Sequence, residues 1–322
     1  MRITRSQGIY LLKLIVTITA LYWLFQHFHL GETLWRMRSA DPAYFLTGLA
    51  VMLAAHILNA HQLRCLAAPY NLSLGLGDLF RINMIAKLYS LILPGVVGGG
   101  LVRWYYLSRP DGKRAQAAAI ILFNRLLELA GLALTAVIFW VWDSRAQGGL
   151  ELLEASSFVL LAVGMGYFLL FHPASHAFLR RATRHLPWPR ALRSRLAKLA
   201  LALSLYHGQS PAFHGKLLLL SLARQLLVSS CVWTFALGLG MSLDFATIAW
   251  IRALLSIVLT LPVTIGGLGI REAGYAYLLE PYEIAPEAAL ALSLLIFVRM
   301  FLFSLCGAIF QLQFKPHKPS SV

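Results

Sequence analysis

The sequence predicts an all-α integral membrane protein: six full transmembrane helices plus two opposed re-entrant hairpins in an inverted repeat. Three observations predict it. The 322 residues are 59% hydrophobic and 13% charged, where a soluble domain carries about 25% charged residues, and mean hydropathy is +0.70. Two apolar stretches are broken by proline and glycine in the same pattern. Lysine and arginine are shared unevenly between the loops. The composition excludes disorder, a nucleic-acid-binding domain and a disulfide scaffold. The formal net charge of +15 serves orientation in a bilayer, so no nucleic-acid partner is expected. Cys65, Cys231 and Cys306 sit in apolar surroundings without a CxxC pair. They read as buried structural thiols, with no zinc site.

A helix needs about 20 apolar residues to cross the hydrocarbon core. Segments 9–28, 43–64, 115–142, 152–172, 216–238 and 288–313 meet that length. Arg2 and Arg5 precede the first, as in a signal peptide. That stretch is long, however, and ends in Gln26-His27-Phe28-His29 without a small-residue cleavage site. A retained helix is therefore expected. Segments 79–108 and 246–280 are apolar but interrupted by Pro94 and Pro262 with runs of glycine. Each half is too short to cross alone.

Orientation follows from lysine and arginine. Segment 173–216 carries Arg180, Arg181, Arg184, Arg190, Arg193, Arg195, Lys198 and Lys216, and no Asp or Glu occurs from 155 to 243. It is expected to be cytoplasmic, as are both termini and 109–114. The opposite loops carry Asp143, Glu151, Glu154, Asp244, Glu280, Glu283 and Glu287. Threading six spans through these sides makes 79–108 enter and leave from the cytoplasm and 246–280 from outside. The chain then reads as one polytopic membrane domain, 1–322. Its first half is 43–172, its basic linker 173–215 and its second half 216–313.

The two breaks match. Leu93–Arg103 and Leu261–Arg271 lie 168 residues apart, and both read LP-x3-GG-x3-R. Paired Gly/Pro-broken hydrophobic segments in two halves point to a transporter's substrate site. Proline ends one half-helix, glycines permit a sharp turn, and the next half-helix begins with its positive dipole end at the break. Backbone donors, a helix N-terminus and an arginine make an anion site. The candidate residues are Pro94, Gly98, Gly99 and Arg103 in the first copy. In the second they are Pro262, Gly266, Gly267, Gly269, Arg271 and Glu272. The alternative is that the glycines only allow close helix packing.

Seven cations fall in or beside the apolar segments: Lys87, Arg103, Arg125, Arg224, Arg252, Arg271 and Arg299. Only Glu128 and Glu272 oppose them. Arg125 and Glu128 share a helix face at i,i+3 and are expected to pair. Arg299 lies near the middle of the last span. Charges at that depth are costly and face the bundle interior. Lys87, Arg103 and Arg252 are candidates for snorkelling to an interface. The remaining positive surplus points to an anionic substrate, most simply a lipid phosphate; the alternative is that the pairs only lock the bundle. His56, Asn59 and His61 give the second span a polar face, expected to serve helix–helix hydrogen bonds. Leu192, Leu196, Leu199, Leu203 and Tyr206 form a helical stripe flanked by cations. It is expected to lie on anionic lipids of the inner leaflet, a partner-binding helix being the alternative.

The motifs PGVVGGGLVR and LPVTIGGLGIRE, with Asn124-Arg125, Glu128 and Arg299, resemble the lysylphosphatidylglycerol synthase transmembrane, flippase-like family over nearly the whole chain. Gly100 stands where that family usually carries Asp, and Asn124 where it often carries Glu. The resemblance implies a domain that moves lipids between leaflets of a bacterial inner membrane. Its lipid could be a phospholipid, a glycolipid or a polyprenyl lipid. The family's fused members carry a C-terminal synthase. With the sequence ending at Val322, aminoacyl transfer is not expected. The expectation is a lipid translocase with no catalytic residue, cofactor or metal, and a homo-oligomer left open. Two alternatives are a membrane-embedded transferase using Glu128 or Glu272 on a lipid-linked donor, and an anchor for a lipid-modifying enzyme.

Overall fold

A computed structural model describes residues 30–72, 74–92, 97–109, 112–143, 157–158, 161, 164–165, 190–260 and 267–313. The described residues form ten α-helices, two short 3-10 turns and no strand. Four helices are long and apolar enough to span a bilayer: α2 (Pro42–Ala67), α5 (Arg114–Trp142), α7 (Pro211–Gly238) and α10 (Pro286–Gln313). They coincide with four of the six expected spans. The spans at 9–28 and 152–172 lie outside the described residues, the second in all but a few positions.

Local chemistry fixes the starts. Asp41 caps α2 by accepting from the Ala43 amide at 2.8 Å, with Pro42 in the first turn. Ser210 does the same for α7 through Phe213, ahead of Pro211. Proline belongs there because its missing N–H would have no helical partner. The two long helices run antiparallel: the Asp41 amide bonds Gly238 O at 3.0 Å, and Phe45 stacks on Phe235. A further helix, α1 (Leu30–Ser39), carries an Arg36–Glu32 pair and packs on α10.

The expected interruptions are real. The first broken segment forms α3 (Leu76–Ile92) and α4 (Val97–Ser108). The second forms α8 (Phe245–Val258) and α9 (Ile270–Leu279). Residues 93–96 and 261–266, with Pro94, Pro262 and Gly266, lie outside the described residues. Each pair begins and ends at one end of the bundle. Phe80 on α3 and Tyr106 on α4 meet Phe310 and Gln311 at the C-terminal end of α10. Thr247 and Trp250 on α8, and Tyr282 just after α9, all donate to Asp143 Oδ2 at the C-terminal end of α5. Because α5 and α10 run in opposite directions, the two pairs approach from opposite ends.

The packing is reciprocal. Helix α3 packs on α10, and α8 packs on α5. Helix α4 adjoins α5 as α9 adjoins α10, and α2–α3 contacts match α7–α8 contacts.

Close approach is built with small residues. A Cβ at Gly307 on α10 would collide with the Met84 carbonyl of α3. Two larger apolar clusters result. One joins α2, the C-terminal end of α5, α7, α8, α9 and α10; the other joins α2, α3, the end of α4, α5, α6 (Arg190–His207) and the start of α7. Cys231 is buried and Cys65 half-buried, but Cys306 is exposed, so the expectation of three buried thiols holds only in part.

The basic amphipathic helix exists as α6, but part of its stripe is used within the protein. Leu203 and Tyr206 are buried against α2 and α5. Tyr206 donates to Leu66 O at 2.7 Å, and Tyr70 donates to Ala202 O at 2.8 Å. Burial and the neighbouring Tyr70 push the Tyr206 phenol far above its ordinary range. These aromatic contacts displace the expected docking of that end of the stripe on lipid. The side chains of Leu192 and Leu196 lie outside the described residues.

Candidate functional site: a cation-rich cluster between the helix pairs

The second motif forms a closed polar network. Gly267 and Gly269 have φ of +75° and +84°, a region that favours glycine. This turn aims the first amides of α9 back at Glu272. The Gly269 amide donates to Glu272 Oε2 at 2.7 Å. The other carboxylate oxygen accepts from Arg271 Nη2 and, at 3.0 Å, from Ser293 Oγ. Arg271 Nε donates to Ser293 Oγ at 2.8 Å, and its guanidinium lies 5.6 Å from the Phe297 ring centroid. Arg271 and Glu272 are 5% and 1% exposed. A helix N-terminus attracts an anion, and here Glu272 supplies it.

The first motif is open. Gly98 and Gly99 are buried at the start of α4. Gly99 is a contact point: a Cβ there would collide with Ser90 Oγ and lie 2.9 Å from Ala86 O of α3. At Gly100 a Cβ would meet nothing within 4 Å. Arg103, one turn further on, has a buried Nε without a hydrogen-bond partner among the described residues.

Around Arg103 the fold gathers charges from five helices. Arg125 Nη1 pairs with Glu128 Oε2 at 2.9 Å, and Arg224 Nη2 of α7 pairs with Glu128 Oε1 at 2.9 Å. Arg103 is within electrostatic range of Glu128, Arg224 and Arg125. Lys87 on α3 is within range of Arg299, Arg103, Arg224 and Glu128. Arg299 on α10 lies 3.5 Å from Cys231 Sγ and 3.6 Å from Met52 Sδ, which are weak acceptors. Four cations thus surround one carboxylate, with Arg299 in range of Lys87, and Lys87, Arg103 and Arg299 form no ion pair among the described residues. Arg252 on α8 is in electrostatic range of Arg224 and Arg299. It does not snorkel; it is buried and bonded to Ser229 Oγ at 2.8 Å and Gln225 Oε1 at 3.2 Å.

A polar stripe reaches the same cluster. Among the described residues, His56 Nε2, Asn59 Oδ1 and Gln62 Oε1 on α2 are buried without hydrogen-bond partners, as are both amide atoms of Asn83 on α3. Sequence reasoning expected His56, Asn59 and His61 to bond between helices. Instead His56 packs edge-on against Phe303, and His61 contacts Cys65 one turn along its own helix. Ser304 lies against Lys87 O, and Gly307 against Met84 O. This sets His56 at the height of Lys87, and Asn59 one turn away at the height of Asn83. Gln62 and Asn83 were missed in the sequence; a polar side chain within an apolar helix is the signal that marks them.

The family model described as lysylphosphatidylglycerol synthase TM region matches residues 10–307. Searches of curated proteins and of solved structures return no match. With long apolar helices, two broken helix pairs and a match over most of its length, the chain belongs to the lysylphosphatidylglycerol synthase transmembrane-region family.

Proposed function

We propose that the protein moves an anionic, phosphate-bearing lipid between the leaflets of a bacterial inner membrane, with both termini cytoplasmic. The observation that carries this reading is the surplus of cations over carboxylate at Lys87, Arg103, Arg125, Glu128, Arg224 and Arg299, inside apolar helices. Placing a charge at the bilayer centre costs about 2.5–3.5 kcal/mol on insertion scales. A lipid phosphate passing through would offset part of that cost. The two helix pairs act as opposed re-entrant hairpins of an inverted repeat, supported by their approach from opposite ends and by the reciprocal packing. The charge cluster then lies between half-helices, where alternating access places a substrate.

In this scheme Arg103, Lys87 and Arg299 receive the phosphate, while Glu128 holds Arg125 and Arg224 in place. The amide oxygens of Asn59 and Gln62 and both amide atoms of Asn83, without partners among the described residues, line the headgroup's path from the cytoplasmic end. Gly99, Gly267, Gly269, Arg271 and Glu272 shape the hairpins without touching lipid. Glu128 and Glu272 are both engaged by arginine, which supports transport over general acid–base chemistry. Purified protein in liposomes should speed the crossing of fluorescent phosphatidylglycerol above the protein-free rate, and that of phosphatidylcholine much less. Equal rates with and without protein would reject the reading.

A further inference from the structure

A groove of about 470 Å³ runs between α4 and α5, lined by Gly100, Leu101, Trp104, Leu122 and, among others, Arg125. Its walls are apolar except at Arg125. Leu101 and Leu122 are exposed on its rim. The side chain of Arg125 is 32% exposed although it pairs with Glu128. Trp104 closes the other end by donating to Arg114 O at 2.9 Å. From Ala118 to Arg125 the groove follows α5 for seven residues, roughly 10 Å at the helical rise. The lack of a side chain at Gly100 keeps its middle open.

We propose that this groove is a lateral portal occupied by one anionic phospholipid, its phosphate at the Arg125 guanidinium and its acyl chains leaving between Leu101 and Leu122 into the bilayer. The proposal rests on the lipid-binding reading above and adds the route by which that lipid joins the cluster. Three features choose the occupant. The walls match hydrocarbon, and Leu101 and Leu122 are exposed at the rim. The single polar group is a cation, so the headgroup must carry negative charge. Arg125 shares Glu128 with Arg224, and Arg103 is in range, so a phosphate arriving here meets net positive charge and stands beside the main cluster. A zwitterionic lipid fits the walls equally well but brings its own cation to a cationic floor.

Site-specific photocrosslinking of the full-length protein in nanodiscs tests this. The nanodiscs hold equal amounts of phosphatidylglycerol and phosphatidylcholine of distinguishable mass. A benzophenone amino acid replaces Leu122, or Phe301 on the exposed face of α10, and adducts are counted by mass spectrometry. At Leu122 phosphatidylglycerol adducts should exceed phosphatidylcholine adducts about tenfold, the lower end of what a hydrogen bond to a charged partner supplies; at Phe301 they should match the bulk ratio. Adding Arg125→Gln should return Leu122 to the bulk ratio, and Arg125→Lys should keep part of the enrichment. A bulk ratio at Leu122 in the otherwise unaltered protein would overturn the portal. Enrichment that survives Arg125→Gln would overturn the role of Arg125. Either result leaves lipid movement in liposomes to stand or fall separately. If Arg125→Gln does not fold, Gly100→Leu, which fills the groove, should remove the enrichment, and enrichment persisting there would also overturn the proposal.

Discussion

The Glu272 carboxylate accepts the Gly269 amide hydrogen at 2.7 Å, closing the N-terminus of α9 from within. The positive end of that half-helix therefore already holds an anion. The residue matching Glu272 in the first motif is Trp104, directly after Arg103, so α4 has no carboxylate at that position. Two motifs with the same spacing thus differ in what they leave open.

This difference predicts the behaviour of Arg271. Arg271→Gln leaves Glu272 buried with one fewer cationic partner. Breaking such a pair costs about 3–5 kcal/mol. Thermal unfolding in detergent should show a large drop for Arg271→Gln and for Glu272→Gln. The double variant should lose less than the sum of the singles. Additive losses would mean that the two residues act independently.

Neighbouring glycines should behave oppositely. Gly99→Ala places a methyl group against Ser90 and the Ala86 carbonyl. The α3–α4 pair must then open, and overpacking of this kind costs about 1–3 kcal/mol. Gly100→Ala faces open space and should unfold at the wild-type temperature or slightly above, since alanine favours the helix by up to about 1 kcal/mol. Comparable losses in the two variants would contradict the placement of α4.

Asn83 should be worth more to function than to stability. An unsatisfied buried polar group costs about 1–3 kcal/mol, and both amide atoms of Asn83 lack partners among the described residues. Asn83→Leu is expected to raise the unfolding temperature while lowering lipid movement in liposomes. A fall in stability would show that Asn83 is bonded in the resting protein.

Tyr282 predicts a pH dependence. Burial and its bond to Asp143 raise the Tyr282 phenol above its ordinary value, about 10 in the unfolded chain. The fold thus favours the neutral phenol. That contribution is fully present below about pH 10 and is lost as pH rises through the folded value. Tyr282→Phe removes a bond to a carboxylate and should cost about 1.5–3 kcal/mol at neutral pH. It should also flatten the decline in stability at alkaline pH, measured by unfolding at stepped pH. An unchanged alkaline decline would assign it to other groups.

Much of the fold was legible because the bilayer imposes length and polarity on each segment. The bounds 43–64 and 115–142 lie within three residues of α2 and α5, since apolar runs and their caps end together. The breaks at 79–108 and 246–280 were visible through proline and glycine. The Arg125–Glu128 pair followed from helical spacing. What spacing could not show was partnership between distant segments. Ser293 completes the Arg271–Glu272 network from α10, and Arg224 joins Glu128 from α7. The sequence treats Arg103 and Arg271 as equals; a serine 22 residues beyond Arg271 separates their roles. Tyr206 likewise looked like part of a membrane-facing stripe until Leu66 O and Tyr70 appeared beside it.

In the proposed function, the cations around Arg103 carry an anionic headgroup across the membrane. The most direct measurement is the rate at which fluorescent phosphatidylglycerol crosses the bilayer of liposomes containing wild type, Arg103→Gln or Lys87→Gln. All three proteins are first matched for unfolding temperature and reconstituted amount. A charged hydrogen bond is worth about 1.5–3 kcal/mol, so each variant should slow movement by roughly 10- to 150-fold at sub-saturating lipid. Arg103→Lys should recover part of the rate, because it keeps the charge and loses the planar fork. Wild-type rates in both glutamine variants would contradict the account.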